Sequence, residues 1–283
     1  MTDLYGSTIA KRRLARQLIA LRERNHYTAN QVCDKLNWGR GKLGRFEANT
    51  WKRPSLSDIR DLARIYNADP GEQQELEDLA KLARQGVWWS DYRDVFGDSE
   101  YPGYEADAVR ISVYMPLILP GLLQTPAYTE RTLRVGSRSE PWRERALEAR
   151  LRRQEILERP RGSVPEMISV ITEAALMYYW GTPGERRAQL SHLIDMSRRP
   201  NIELRMLRLA DGLHPGMSSL ISIFDFPGDE PSMVFLENDA GLEEVSAPKD
   251  VDAYVTIFGR IRDAALDAPA TTAQLKAMAE TLE

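Results

Sequence analysis

Residues 28–47, TANQVCDKLNWGRGKLGRFE, constrain this chain more than any other stretch. Thr28 suits a helix N-cap, and Gln31 three residues on completes a capping box. Val32, Cys33 and Leu36 fall on one face of a short first helix. Asn37 stands where the chain must turn, and Asn tolerates the left-handed conformation better than most residues. Trp38 fills the corner. Leu43 and Phe46 form an apolar i, i+3 pair on a second short helix, with Arg40, Lys42 and Arg45 facing outward. The pattern is that of a helix-turn-helix. A short helix with a buried inner edge and a basic outer edge has the shape of the DNA major groove. Gly39, Gly41 and Gly44 make that second helix glycine-rich, at roughly 1 kcal/mol each relative to Ala, and Gly41 and Gly44 have no side chain to read a base.

Charge is distributed to match. The net charge of −4 hides an asymmetry, because residues 1–53 hold 12 Lys/Arg against 4 Asp/Glu and the rest of the chain holds 26 against 38. A basic head on an acidic body is expected where one end meets nucleic acid. The bland alternative is a solvated face with surplus arginines.

Around the motif, Leu14, Leu18 and Leu21 mark a helix over about 8–24. Ser55 or Ser57 caps a fourth helix that buries Ile59, Leu62 and Tyr66. A fifth helix, about 72–85, carries Leu76, Leu79 and Leu82. The segment 8–85 resembles the helix-turn-helix domain of the Xre family, the phage-repressor-like transcription regulators. The resemblance rests on the small Cys33 where the helices touch, Asn37 in place of the turn glycine, and the apolar Val32, Leu36, Trp38, Leu43 and Phe46. It implies a pair between Glu47 and Arg22 of the first helix. It implies base reading by Arg40 and Arg45, with Lys42 contacting base or phosphate. The N–H groups of Thr28, Ala29 and Asn30, together with Lys52 and Arg53, would meet the phosphate backbone. The plain alternative for these basic residues is solvent exposure. Affinity for one half-site is limited, so a homodimer on an inverted repeat of double-stranded DNA is expected.

Composition shifts after residue 86. Residues 87–104 hold Trp88, Trp89, Tyr92, Phe96, Tyr101 and Tyr104 with little periodicity, which reads as an aromatic-rich linker packed on a second domain, or as a pocket wall. From 105 to 283 the chain reads as mixed α and β. Residues 106–114 fit a strand or a short helix. Strands are expected at 167–171, 202–207, 218–226, 233–237 and 242–245. Helices are expected at 126–134, 140–159, 185–198, 248–266 and 271–282. The arginines and glutamates of 140–159 read as a salt-bridged surface. The fold class is therefore α+β, an all-α five-helix domain (1–86), a linker (87–104) and an α+β domain with a mainly antiparallel sheet (105–283). PGLLQTPAY, ITEAAL and GLHPG resemble the C-terminal domain that follows Xre domains in a large family of actinobacterial regulators. That resemblance implies a regulatory domain that senses a ligand or binds a small partner protein encoded nearby. Trp88, Trp89, Tyr178, Tyr179 and Trp180 are candidates to line a pocket there.

Catalysis is not expected. His26, His192 and His214 have no ligand-spaced neighbours. Gly181–Glu185 lacks the Gly-Lys-Ser/Thr end of a phosphate loop, and Gly216-Met-Ser-Ser lacks the second glycine of a nucleophile elbow. No cofactor or metal is expected. One cysteine excludes an internal disulfide. The absence of a leader-like apolar run and the prolines at 116 and 120 point to a soluble, cytoplasmic protein. The two readings are a DNA-binding transcriptional regulator, and an antitoxin-like or adaptor module whose helix-turn-helix mainly autoregulates.

Overall fold

Leucines at helical spacing and two capping boxes, led by Thr28 and Asp69, organise the first 90 residues. The computed structural model describes residues 5–51, 54–217, 220–238 and 241–282. Two compact units divide between Ser90 and Asp91. The first contains α1 (Ser7–Arg24), α2 (Ala29–Lys35), α3 (Lys42–Glu47), α4 (Leu56–Ile65) and α5 (Pro70–Leu82). Its core gathers Leu14, Leu18 and Leu21 of α1, Val32 and Cys33 of α2, Leu43 and Phe46 of α3, Ile59 and Leu62 of α4, and Leu76 and Leu79 of α5. Each fully buried Leu or Ile contributes about 1.5–3 kcal/mol of transfer free energy.

Helix starts differ from the sequence reading in two places. Helix α5 begins two residues earlier than expected, because Asp69 and Glu72 form a reciprocal capping box behind Pro70. Ser55 occupies the N-cap of α4, but its hydroxyl pairs with that of Ser57 at 2.6 Å and caps nothing. Ion pairs join the helices. Arg24 donates to Glu72 at 2.6 and 2.9 Å, and Arg60 to Glu77 at 2.9 and 2.8 Å. These hydrogen bonds hold both carboxyls below the usual carboxylate range.

The second unit opens with α6 (Arg93–Phe96) and α7 (Tyr101–Asp107), so the stretch read as a linker is structured. Its aromatics find partners on the sheet, with Tyr101 at 5.2 Å from Phe224 and 5.1 Å from Phe235. Strand β1 (Arg110–Met115) precedes α8 (Pro126–Val135) and α9 (Glu140–Gln154). Strand β2 (Glu166–Thr172) precedes α10 (Ala174–Met177) and α11 (Pro183–Met196). Strands β3 (Ile202–Leu207), β4 (Leu220–Asp225), β5 (Met233–Asn238) and β6 (Gly241–Val245) follow, then α12 (Pro248–Ala264) and α13 (Ala268–Thr281). The sheet order is β3-β2-β1-β4-β5-β6. The long helical connections let β1, β2 and β3 pair in parallel, short connections make β4/β5 and β5/β6 antiparallel neighbours, and β4 returns from β3 to run antiparallel beside β1. The sheet is mostly antiparallel, with one parallel end.

Alternation along the strands divides the core. Tyr114, Val170 and Ile221 lie in register on one face and pack with Val251, Phe258 and Ile261 of α12. Tyr101 and Tyr104 pack on Phe224, Phe226 and Phe235 elsewhere on the sheet. Helix α9 is not the plain solvated surface that its charges suggest. Ala146 and Ala149 are buried, and Arg153 makes a two-pronged bond to Glu105 at 2.7 and 2.8 Å, with side chains only 12% and 4% exposed. Arg150 donates to Gln124, itself buried.

Two outcomes follow. Glu105→Ala strands the Arg153 cation and should cost the second unit about 3–5 kcal/mol. Denaturant unfolding of the full chain checks this, and an unshifted second-unit transition contradicts it. The depressed Glu72 and Glu77 carboxyls contribute stability above about pH 4 that is lost as pH falls through their lowered folded values. The helical unit should therefore melt progressively lower on acidification, as read by circular dichroism across an acid series.

Candidate nucleic-acid interface

The helix-turn-helix is assembled from local signals. Thr28 accepts from the N–H of Gln31 at 3.3 Å, and Gln31 accepts in return from the N–H of Thr28 at 2.8 Å. Helix α2 stops at Leu36, and Asn37 takes φ 52°. The Trp38 N–H closes the turn on the Cys33 carbonyl at 2.8 Å. The Trp38 ring then stacks on Phe46 at 5.9 Å, and Phe46 meets Trp51 at 4.5 Å. A line of three aromatics therefore sets the angle between α2, α3 and the loop beyond.

Helix α3 is shorter than the sequence implied. Gly41 sits at its N-cap with φ 86°, a left-handed conformation that favours glycine, and Gly39 lies ahead of it. Only Gly44 is inside the helix. Arg40 thus belongs to the turn leading into α3 rather than to the helix, because Gly41 breaks the helical path. Arg40 and Arg45 are exposed and, among the described residues, have no ion-pair partner. Lys42 differs from them. Its Nζ donates to Asp58 at 2.8 Å and sits 4.0 Å from the centre of the Trp38 ring. The expected outward-facing lysine is instead a strut between α3 and α4.

Glu47, at the end of α3, accepts from Arg22 Nε at 2.5 Å and from Nη2 at 3.3 Å. The Arg22 Nη1 also donates to the Tyr27 carbonyl at 2.9 Å. Both charged side chains are largely covered, at 17% and 16% exposure. The hydrogen bond it donates to Glu47 raises the Arg22 pKa further above its ordinary value. Burial likewise raises Tyr66, whose hydroxyl has no hydrogen-bond partner among the described residues. Thr28 and Asn30 are exposed and Ala29 half-buried at the start of α2, where first-turn N–H groups lack intrahelical acceptors. Lys52 and Arg53 lie outside the described residues.

In the second unit the three resemblance-bearing stretches meet at one end of the sheet. PGLLQTPAY follows β1, TEAAL follows β2 and GLHPG follows β3, so each leaves the carboxyl end of a parallel strand. A family model described as a domain of unknown function, DUF5753, matches residues 99–277. The chain belongs to the DUF5753 family. A helix-turn-helix domain model matches residues 13–76. No curated protein and no solved structure matches the chain.

The five aromatics expected to line a pocket are divided between the two units. Trp88 and Trp89 meet edge to face at 6.0 Å in the first unit. In the DUF5753 domain Trp180 packs on Tyr128 at 4.8 Å, while Tyr178 and Tyr179 are 52% and 92% exposed. Aromatic content signals contact area, and periodicity alone cannot separate a cavity wall from an outer surface. Among the described residues no group of three or more His, Cys, Asp or Glu is placed to hold a metal ion, and no helix is long and apolar enough to cross a membrane.

Gly44 has open space where a Cβ would stand, so Gly44→Ala should stabilise the helical unit by about 0.5–1 kcal/mol. Gly41→Ala, at positive φ, should cost about 1–2 kcal/mol. Glu47→Ala should cost about 2–3 kcal/mol by stranding Arg22. Thermal melting of the three variants checks the order, and an unchanged Glu47→Ala melt contradicts the clasp.

Proposed function

We propose that this chain is a sequence-specific DNA-binding transcriptional regulator of the Xre type. Helix α3 enters the major groove, and the second unit supplies dimerisation and a regulatory input from a ligand or partner protein. One observation carries the reading. Arg40 and Arg45 stand exposed and without ion-pair partners at the outer edge of a braced helix-turn-helix, while other cations of the unit are tied down. An arginine held ready in this way can give two parallel hydrogen bonds to guanine O6 and N7. The N–H groups at the start of α2, with Lys52 and Arg53, would add salt-dependent phosphate contacts. Nothing in the proposed action requires catalysis or a cofactor. A homodimer doubles the half-site and places two α3 helices on an inverted repeat.

Titration against a selected operator and against random DNA tests the assignment. Arg45→Ala and Arg40→Ala should each reduce discrimination between the two by about 1–3 kcal/mol. Lys52→Ala should weaken both alike and flatten the salt dependence. Lys42→Ala should act through lowered stability rather than discrimination. Equal loss on both DNAs for Arg40→Ala and Arg45→Ala contradicts their role as base readers.

A further inference from the structure

Eight of the twelve large apolar side chains exposed among the described residues come from three loops, 116–125, 173–182 and 208–217. These loops leave the carboxyl ends of β1, β2 and β3, neighbouring strands about 4.8 Å apart. They are joined to one another. The Thr172 hydroxyl donates to the Pro116 carbonyl, and the Glu173 N–H donates to the Leu207 carbonyl at 2.8 Å. The Leu119 N–H donates to the hydroxyl of Tyr128, the residue on which Trp180 packs. Leu117, Tyr178, Tyr179, Leu209, Leu213 and Met217 are each more than half exposed, and Tyr179 and Leu213 nearly fully so.

Charge decides what such a surface can receive. The three loops contain only Glu173, Arg208 and Asp211 as formally charged side chains. Arg208 and Asp211 bind each other through two hydrogen bonds at 3.0 and 2.5 Å. Glu173 accepts from the Leu209 N–H at 2.9 Å. Arg186, beside the second loop, lies 4.9 Å from the Tyr179 ring centre and donates to the Trp180 and Gly181 carbonyls. The three loops therefore sum to one negative charge, on Glu173, and among the described residues they present no free cation to a nucleic acid or an anionic membrane. A second copy of the same largely apolar, weakly charged patch can cover it, and a two-fold interface uses one patch on both subunits in this way. Taking about 150–250 Å² for a fully exposed tyrosine, somewhat less for Leu or Met, and each residue's exposed fraction, the six named residues expose on the order of 700 Å². A standard interface needs about that much on each partner.

We propose that two copies of this chain pair through this carboxyl-end patch of the parallel strands. The proposal deepens the dimer of the proposed function by assigning its surface, and it rests on that dimer existing.

Sedimentation velocity of the full chain across micromolar concentrations tests it, with Leu213→Glu, Tyr179→Glu and the control Val135→Glu, which is 90% exposed outside the three loops. The wild type and Val135→Glu should be dimers. Leu213→Glu and Tyr179→Glu should weaken the dimer more than roughly tenfold with unchanged melting, because a buried charge at an interface centre is strongly unfavourable. Both should keep the wild-type affinity for a single operator half-site. A wild-type dimer with the same dissociation constant in both loop variants overturns this interface while leaving the dimer itself intact. A wild-type monomer overturns both the interface and the dimer. Loss of half-site affinity in the wild type leaves the interface standing and counts against the DNA reading.

Discussion

The Arg22–Glu47 clasp is the interaction on which the helical unit's geometry depends. One guanidinium joins the end of α1, the carbonyl at Tyr27 just before α2, and the last residue of α3. Helix α3 has only six residues, too few to persist on propensity, and it contains a glycine. Its order comes from outside. Leu43 and Phe46 anchor its inner edge, Glu47 ties its end, and Lys42 props its start against Asp58 and Trp38. Both ends and the inner edge are held, so the outer edge, with Arg45 and the Arg40 turn ahead of it, is presented at a set angle without a long helix. A bond to a carboxylate that is largely shielded from water also keeps its geometry at salt concentrations that screen exposed pairs.

The second unit solves a different problem with similar means. A sheet that is parallel at one end and antiparallel at the other needs long crossovers on one side and hairpins on the other. The crossover helix α9 is too charged to pack as an ordinary amphipathic helix. It docks through two alanines and through Arg153, whose charge is matched by Glu105 on α7. Removing either partner would leave the other as an unmatched buried charge. The same crossovers leave three loops together at the carboxyl ends of β1, β2 and β3. Open sheets commonly put their working surfaces there, since loops can vary at those ends without disturbing the ladder.

Local chemistry was legible in the sequence. The Thr28–Gln31 box, the left-handed Asn37 and the leucine stripes of α1 and α5 each depend on neighbours a few residues apart. Strands β3, β5 and β6 were bounded by turn residues and lie within a residue or two of their expected limits. The Asp69–Glu72 box behind Pro70 is a local signal of the same kind and sets the true start of α5. Gly41 looks like a weak helical residue, yet its tolerance of positive φ makes it a helix start. What could not be read was long-range. Lys42 looks like a DNA contact until Asp58, sixteen residues away, is brought to it. Arg153 looks solvated because charged residues usually are, and only the fold supplies Glu105. Tyr178 and Tyr179 carry no periodic signal that separates a pocket from a surface. The parallel pairing of β1, β2 and β3 likewise depends on which way the crossovers fold back, and no strand records that in its own residues.

The central claim is that a braced helix-turn-helix presents Arg40 and Arg45 to read base edges. Selection of bound fragments from genomic DNA by the purified full-length protein, at near-physiological salt, tests it most directly. The account predicts enrichment of an inverted repeat with guanines in each half-site. It also predicts that enrichment collapses to a sequence-independent background when Arg40 and Arg45 are both replaced by Ala. Enrichment of the same repeat by the doubly substituted protein would contradict the account.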